Sequence, residues 1–276
     1  MFGVRVVIST LLAVATFGTT TLAYSAADDA NLRADLERVA QRRIFFGHQS
    51  IGVNILEGIG LLSQMAGVPI HIKEVKTASE VKQAMIGQTF LAENGYPFKK
   101  LKSFEDAMDP KPIGLDVALM KFCFVDFTAE TDVKTLFASY RSTIDALRAK
   151  NPGVTFVHVT APLTVVGGGL KAKVKYFFGY APLYGTLENM RREEYNTLLR
   201  QTYKGREPIF DLAQVESTTS DGVAETVKWK GKVVPVLIPA YSSDGAHLST
   251  AGKLRAAREL ISVLAAIPDH QTVRKQ

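Results

Sequence analysis

Short apolar runs alternate with longer amphipathic stretches from Arg43 to Leu264. Arg43–Gly47 (RIFFG), Val68–Val75, Asp116–Phe122 (DVALMKF), Thr155–Thr160 (TFVHVT) and Pro208–Leu212 read as strands. They are brief, and rich in β-branched or aromatic residues without helical spacing. The apolar content of Asp116–Phe122 predicts a strand buried on both faces. Ile51–Ala66 reads as a helix with Ile51, Ile55, Ile59 and Leu62 on one face, ended by Gly67. Further helices are predicted over Ala78–Met85, Thr131–Lys150 and Leu187–Tyr203, with a last one opening at Ser249 and carrying Leu254, Leu260, Ile261 and Leu264. Phe90–Asp109 reads as a polar stretch broken by Asn94-Gly95 and Pro97.

Strands separated by helices require parallel crossovers and a sheet covered on both sides. The expectation is a single-domain α/β protein. It would be a three-layer α/β/α sandwich with a central parallel sheet of about five strands in flavodoxin-like order. In such a sheet, ligands bind beyond the C-terminal strand ends. Ser50, Phe124–Asp126 and Ala161-Pro162 follow the first, third and fourth predicted strands, so all three are expected on one edge.

The N-terminus changes the picture of where the domain begins. Arg5 precedes a nearly unbroken apolar run from Val6 to Phe17, and the small residues Ala23, Ser25, Ala26 and Ala27 follow. Residues 1–26 read as a secretory signal peptide, with cleavage between Ala23 and Ala27. The run falls short of the ~18–20 residues a membrane span needs, so no stable span is expected after cleavage. The domain is then residues 27–276, about 250 residues, and the protein is expected in the periplasm or outside the cell. Loss of Arg5 takes the net charge from +6 to +5. Apart from Arg42-Arg43, Lys99-Lys100-Lys102 and Lys171-Lys173-Lys175, the positive residues are scattered, and no Arg-rich or aromatic-interleaved array suggests nucleic acid as a partner. A single cysteine, Cys123, excludes an intramolecular disulfide. No CxxC, HExxH or histidine–carboxylate cluster marks a metal site. No cofactor is expected, and Gly167-Gly168-Gly169 lacks the Lys-Ser/Thr of a phosphate-binding loop.

The candidate chemistry lies at the two ends of the domain. Phe46-Gly47-His48-Gln49-Ser50-Ile51-Gly52 joins a strand to a helix, and Asp244-Gly245-Ala246-His247-Leu248 precedes the last helix. A hydroxyl, an imidazole and a carboxylate are the groups of a nucleophile–base–orienter triad. Each has a plainer role open to it. Ser50 suits a helix N-cap, and Asp244-Gly245 suits a turn that leaves His247 as loop surface. His48 reads either as a donor or substrate contact or as a histidine bonded to backbone. The aromatic segment Thr164–Gly185 reads either as a lid or as a packed insertion.

These motifs resemble those of the SGNH (GDSL-like) hydrolases. Asp244-Gly245-Ala246-His247-Leu248 with Gly252 matches the final block, D-x-x-H-L-x-x-x-G. Gly47 to Gly52 resembles the first block, G-D-S-x-x-x-G, with the serine one position later and His-Gln in place of Asp. The resemblance implies a serine esterase with Ser50 as nucleophile, His247 as base and Asp244 as orienter. Its substrate would be a small-molecule or glycan O-acyl ester, such as an O-acetyl carbohydrate. The third block, G-x-N-D, is missing, since Lys121-Phe122-Cys123-Phe124-Val125-Asp126 stands there instead. The family's oxyanion hole then implies the backbone N–H of Ser50 with Gly95, Asn94 or Asp126. Acyl transfer to a polysaccharide and non-catalytic carbohydrate binding are the competing functions.

Overall fold

The computed structural model describes residues 26–109 and 111–268; the predicted leader lies outside them, apart from its last residue. The elements run α1 (Ala26–Val39), β1 (Arg43–His48), α2 (Ser50–Ala66), β2 (Ile72–Glu74), β3 (Met85–Phe90), α3 (Pro97–Ala107), β4 (Val117–Met120) and α4 (Val133–Lys150). They continue with β5 (Thr155–Val159), α5 (Leu170–Phe177), α6 (Thr186–Tyr203), β6 (Ile209–Phe210), α7 (Leu212–Ser217), β7 (Thr226–Trp229), β8 (Lys232–Pro235) and α8 (Thr250–Ala266).

Six strands form one parallel sheet in the order β2-β3-β1-β4-β5-β6. Side chains alternate across it because successive Cβ atoms of a strand point to opposite faces. Ile44, Phe46, Val117, Leu119, Val157 and Val159 pack under α1, α2, α7 and α8. Phe45, Ala118, Met120 and Phe156 pack under α3, α4 and α6. The three-layer expectation is therefore met. The flavodoxin-like order is also present, carried by β3, β1, β4, β5 and β6, with the three-residue β2 added at one edge.

The strand beside β1 is a correction. The sequence reading gave that place to Val68–Val75 and put a helix over Ala78–Met85. Instead, Met85–Phe90 pairs with β1 residue for residue, and only a 3₁₀ turn at Ala78–Glu80 remains of the predicted helix. Met-Ile-Gly-Gln-Thr-Phe has few β-branched residues and an interior glycine, so its periodicity is weak. Pro97 is a second correction. It does not break a polar stretch but opens α3 at the first helical position, where its missing N–H has no intrahelical acceptor to lose. A separate antiparallel hairpin, β7–β8, was not foreseen.

Helices α2 and α8 make the most extensive helix–helix contact among the described residues. Gly58 permits it, since a Cβ there would stand 2.3 Å from the Lys253 carbonyl oxygen and 2.8 Å from the Ala257 methyl. Alanine at 58 gains about 1 kcal/mol in helix propensity. The backbone collision outweighs this, because overpacking costs ~1–3 kcal/mol. Gly58→Ala is expected to lower the urea midpoint, and an unchanged or raised midpoint would show that the two helices separate freely.

Candidate active site

Strand β1 lies inside the sheet and ends at His48. Gln49 occupies the N-cap position of α2 without a side-chain capping bond, and Ser50 is the first helical residue. The capping role open to Ser50 is thus not the one it takes. Its Oγ lies 3.0 Å from His247 Nε2. The Gln49 side chain donates to the carbonyl oxygens of Leu91 and Ala92, which stitches the end of β1 to the loop after β3.

The Asp244–His247 segment is a turn whose carboxylate also bonds the imidazole. Asp244 Oδ1 accepts from the backbone N–H groups of Ala246 (2.9 Å) and His247 (2.8 Å). Its Oδ2 lies 2.7 Å from His247 Nδ1. A proton on Nδ1 pointing at this carboxylate leaves Nε2 to accept from the Ser50 hydroxyl; the partners on each side of the ring dictate that tautomer. The Asp244 carboxyl is held down to about 2, first by the His247 backbone N–H, then by its side chain and by the Ala246 N–H. The pKa is depressed in the folded state, so these bonds are complete above the unfolded value near 3.9 and are lost as pH falls through about 2. The carboxyl carbon of Asp244, followed by NMR, should titrate near 2; a midpoint above 3.5 would mean that these donors do not hold it.

Three further groups hold the imidazole in place. Leu248 N–H donates to Asn54 Oδ1, 3.1 Å away on α2 and one turn beyond Ser50. The Phe124 ring meets the imidazole edge-on at 5.7 Å. Arg192, buried on α6, donates from Nε and Nη2 to the Phe124 carbonyl and from Nη1 to Thr164 Oγ. Burial lowers the Arg192 guanidinium to about 10, so it stays charged at neutral pH. Asn54 and Arg192 were not singled out from sequence, whereas Phe124 was expected on this edge. A signal existed for Arg192: Thr186, Asn189, Arg192 and Asn196 recur at helical spacing and form one buried polar face. Asn189 and Asn196 bond both backbone groups of Thr164 and Ala161, pinning the chain after β5.

Of the remaining predicted contacts, Gly95 and Asp126 are corrected. The Gly95 N–H does not face the serine; it donates to Asp126 Oδ1 at 2.8 Å. Asp126 is fully buried, pairs with the buried Lys100 ammonium at 2.7 Å and also accepts from Cys123 N–H. It is a structural anchor, neutralised by Lys100 rather than repelling an anion. Asn94 Oδ1 accepts from the same ammonium at 2.7 Å, which leaves its NH₂ group as a donor. His48 has no exposed surface, so it is not a substrate contact. Its ring packs between Phe46 and Phe90, its Nδ1 bonds the Gln49 carbonyl, and burial pushes it down to about 4. A Cβ on Gly52 would collide with this ring at 2.2 Å, which explains the glycine two residues after Ser50.

Asp244 and His247 keep 53% and 37% of their side-chain surface in solvent. The site is an open rim rather than a cleft.

The chain is similar to GDSL-like lipolytic proteins. A candidate platelet activating factor from Streptococcus pneumonia is 12% identical with a TM-score of 0.47, over 86% of this chain and 93% of the other. A candidate lipolytic protein of the G-D-S-L family from Desulfitobacterium hafniense DCB-2 is 12% identical with a TM-score of 0.43, over 80% and 99%. The periplasmic domain of a Salmonella ser. Paratyphi A lipopolysaccharide acetyltransferase is 11% identical with a TM-score of 0.42, over 86% and 96%. No protein-family model matches the sequence. No curated protein matches it either.

Proposed function

We propose that this chain is an exported serine esterase that hydrolyses an O-acyl ester, with an O-acetylated carbohydrate as the substrate class. The observation that carries this reading is the continuous hydrogen-bond path from Ser50 Oγ through His247 to Asp244. Ser50 Oγ attacks the ester carbonyl while His247 Nε2 takes its proton. Asp244 stabilises the imidazolium without accepting the proton itself. The imidazolium then protonates the departing alkoxide, an acyl-enzyme remains on Ser50, and water activated by His247 releases the acid. As the first residue of α2, Ser50 offers an N–H without an intrahelical acceptor to the developing oxyanion, at the positive end of the helix. The Asn94 amide is the second donor in this reading. The open rim supports a bulky ester, because little of the triad is walled in. Export rests on the Arg5–Ala27 pattern.

A fluorophosphonate probe tests the reading. It should label one residue, and peptide mapping should place the label on Ser50. Acetate release with and without sugar acceptors separates hydrolysis from transfer. A folded protein that neither reacts with the probe nor turns over any ester would be a binding protein instead.

A further inference from the structure

Helix α5 and the chain on either side of it are unlike the rest of the surface. No residue of α5 is buried. Leu170, Phe177, Tyr180 and Tyr184 expose 81, 82, 80 and 84% of their surface, and Phe178 exposes 63%. A soluble monomer rarely gathers so many large apolar side chains on one protrusion. Gly167–Gly185 also carries Lys171, Lys173 and Lys175 and no carboxylate. At 3.6 residues per turn, Leu170, Val174 and Phe177 fall on one face. Lys173 lies to one side of that face, and Lys171 and Lys175 lie to the other. Tyr176 points the opposite way. It stacks on Trp229 with ring centroids 5.9 Å apart, and its hydroxyl bonds the Lys228 backbone. The protrusion is therefore anchored on its inner side and bare on its outer side. It is not an insertion packed onto the domain.

We propose that this protrusion is a docking element for the surface of an anionic lipid bilayer. The apolar and aromatic side chains would enter the headgroup–acyl boundary, and the flanking lysines would meet anionic headgroups. Eight residues are too few to cross a bilayer, so the helix lies in the interface. Charge decides against a second copy of the chain as occupant, because two such faces would oppose three lysines to three. It also decides against an uncharged protein groove, which would leave the lysines unanswered. A soluble polyanion would answer the lysines but leave the exposed rings in water. The element stands beside the proposed active site: Val165, two residues before its start, donates its N–H to the Gly245 carbonyl at 2.8 Å. Bilayer docking requires no turnover, so it stands or falls separately from the esterase reading.

The test is cosedimentation with vesicles of phosphatidylcholine alone and of phosphatidylcholine with phosphatidylglycerol. Wild type should bind the anionic vesicles and not the neutral ones. Lys171→Ala/Lys173→Ala/Lys175→Ala should bind about 100-fold more weakly, since each lysine near such a surface contributes about fivefold, or ~1 kcal/mol. Phe177→Ser/Phe178→Ser/Tyr180→Ser should lose binding while keeping the wild-type thermal midpoint, because all three positions are exposed. In a third variant, Phe177→Trp with the native tryptophan removed by Trp229→Phe, emission should be quenched by brominated acyl chains, which reports insertion at this position whatever other segments do. An unquenched Phe177→Trp protein would overturn the proposal. So would a serine variant that binds like wild type, or a wild type that is retained by heparin but ignores vesicles.

Discussion

Replacing Ser50 by alanine is expected to abolish turnover of a short-chain aryl ester and to leave the fold standing. In the structure the hydroxyl bonds His247 and caps nothing. Alanine is the best helix former at a position one residue inside a helix. Stability should thus stay within about 0.5 kcal/mol of wild type, as for an ordinary surface change. The rate constant should fall by roughly 10⁴–10⁶-fold, the range seen when one member of a cooperating triad is removed. Asp244→Asn should lose less, because it leaves nucleophile and base in place. A Ser50→Ala protein with wild-type turnover would show that the nucleophile lies elsewhere, even though Ser50 and His247 lie within hydrogen-bond distance.

The second large effect is expected in stability. Lys100 and Asp126 have no exposed side-chain surface, and each satisfies more than the other: Lys100 also donates to Asn94, and Asp126 also accepts from Gly95 and Cys123. Removing one partner strands a buried charge, at a cost of about 3–5 kcal/mol. Lys100→Met should therefore lower the thermal midpoint by roughly 6–20 °C in a domain of this size. Asp126→Asn should be similarly harmful, because it leaves the Lys100 ammonium buried without its carboxylate. The pair joins α3 to the turn after β4 and, through Asn94 and Gly95, holds the loop after β3, so on the esterase reading activity per folded molecule should fall as well. Lys100→Met/Asp126→Asn should cost less than the two single changes added together, because neither charge is then left alone. Additive costs, or single variants within 1 kcal/mol of wild type, would mean that the pair is not coupled.

The contrast between these two sites explains what could be read in the chain beforehand. Ser50, Asp244 and His247 sit in short contiguous motifs beside a strand end and a helix start, and those local signals are strong. The inner strands β1, β4 and β5 are nearly continuous apolar runs, so their burial on both faces was visible in their composition. Strand β3 has weak periodicity and becomes a strand through its pairing with β1. The Lys100–Asp126 pair spans 26 positions, and nothing in the sequence separates a lysine destined for the interior from its solvated neighbours Lys99 and Lys102. Gly95 was read as an oxyanion donor, but its N–H is claimed by Asp126, a partner 31 positions away that no local pattern discloses.

The exposure of Asp244 and His247 has a consequence for rate as well as for access. Dipoles aimed at a growing negative charge act most strongly where water is excluded, since bulk water screens them many-fold more than a protein interior does. An open rim excludes little water by itself. On the esterase reading, a small soluble ester reacts in a wet environment, where each donor is worth less. A polymeric chain or a lipid-borne ester lies across the rim and dries it with its own bulk. Selectivity for large substrates would then arise without a fitted pocket, from the substrate serving as the missing wall of the site.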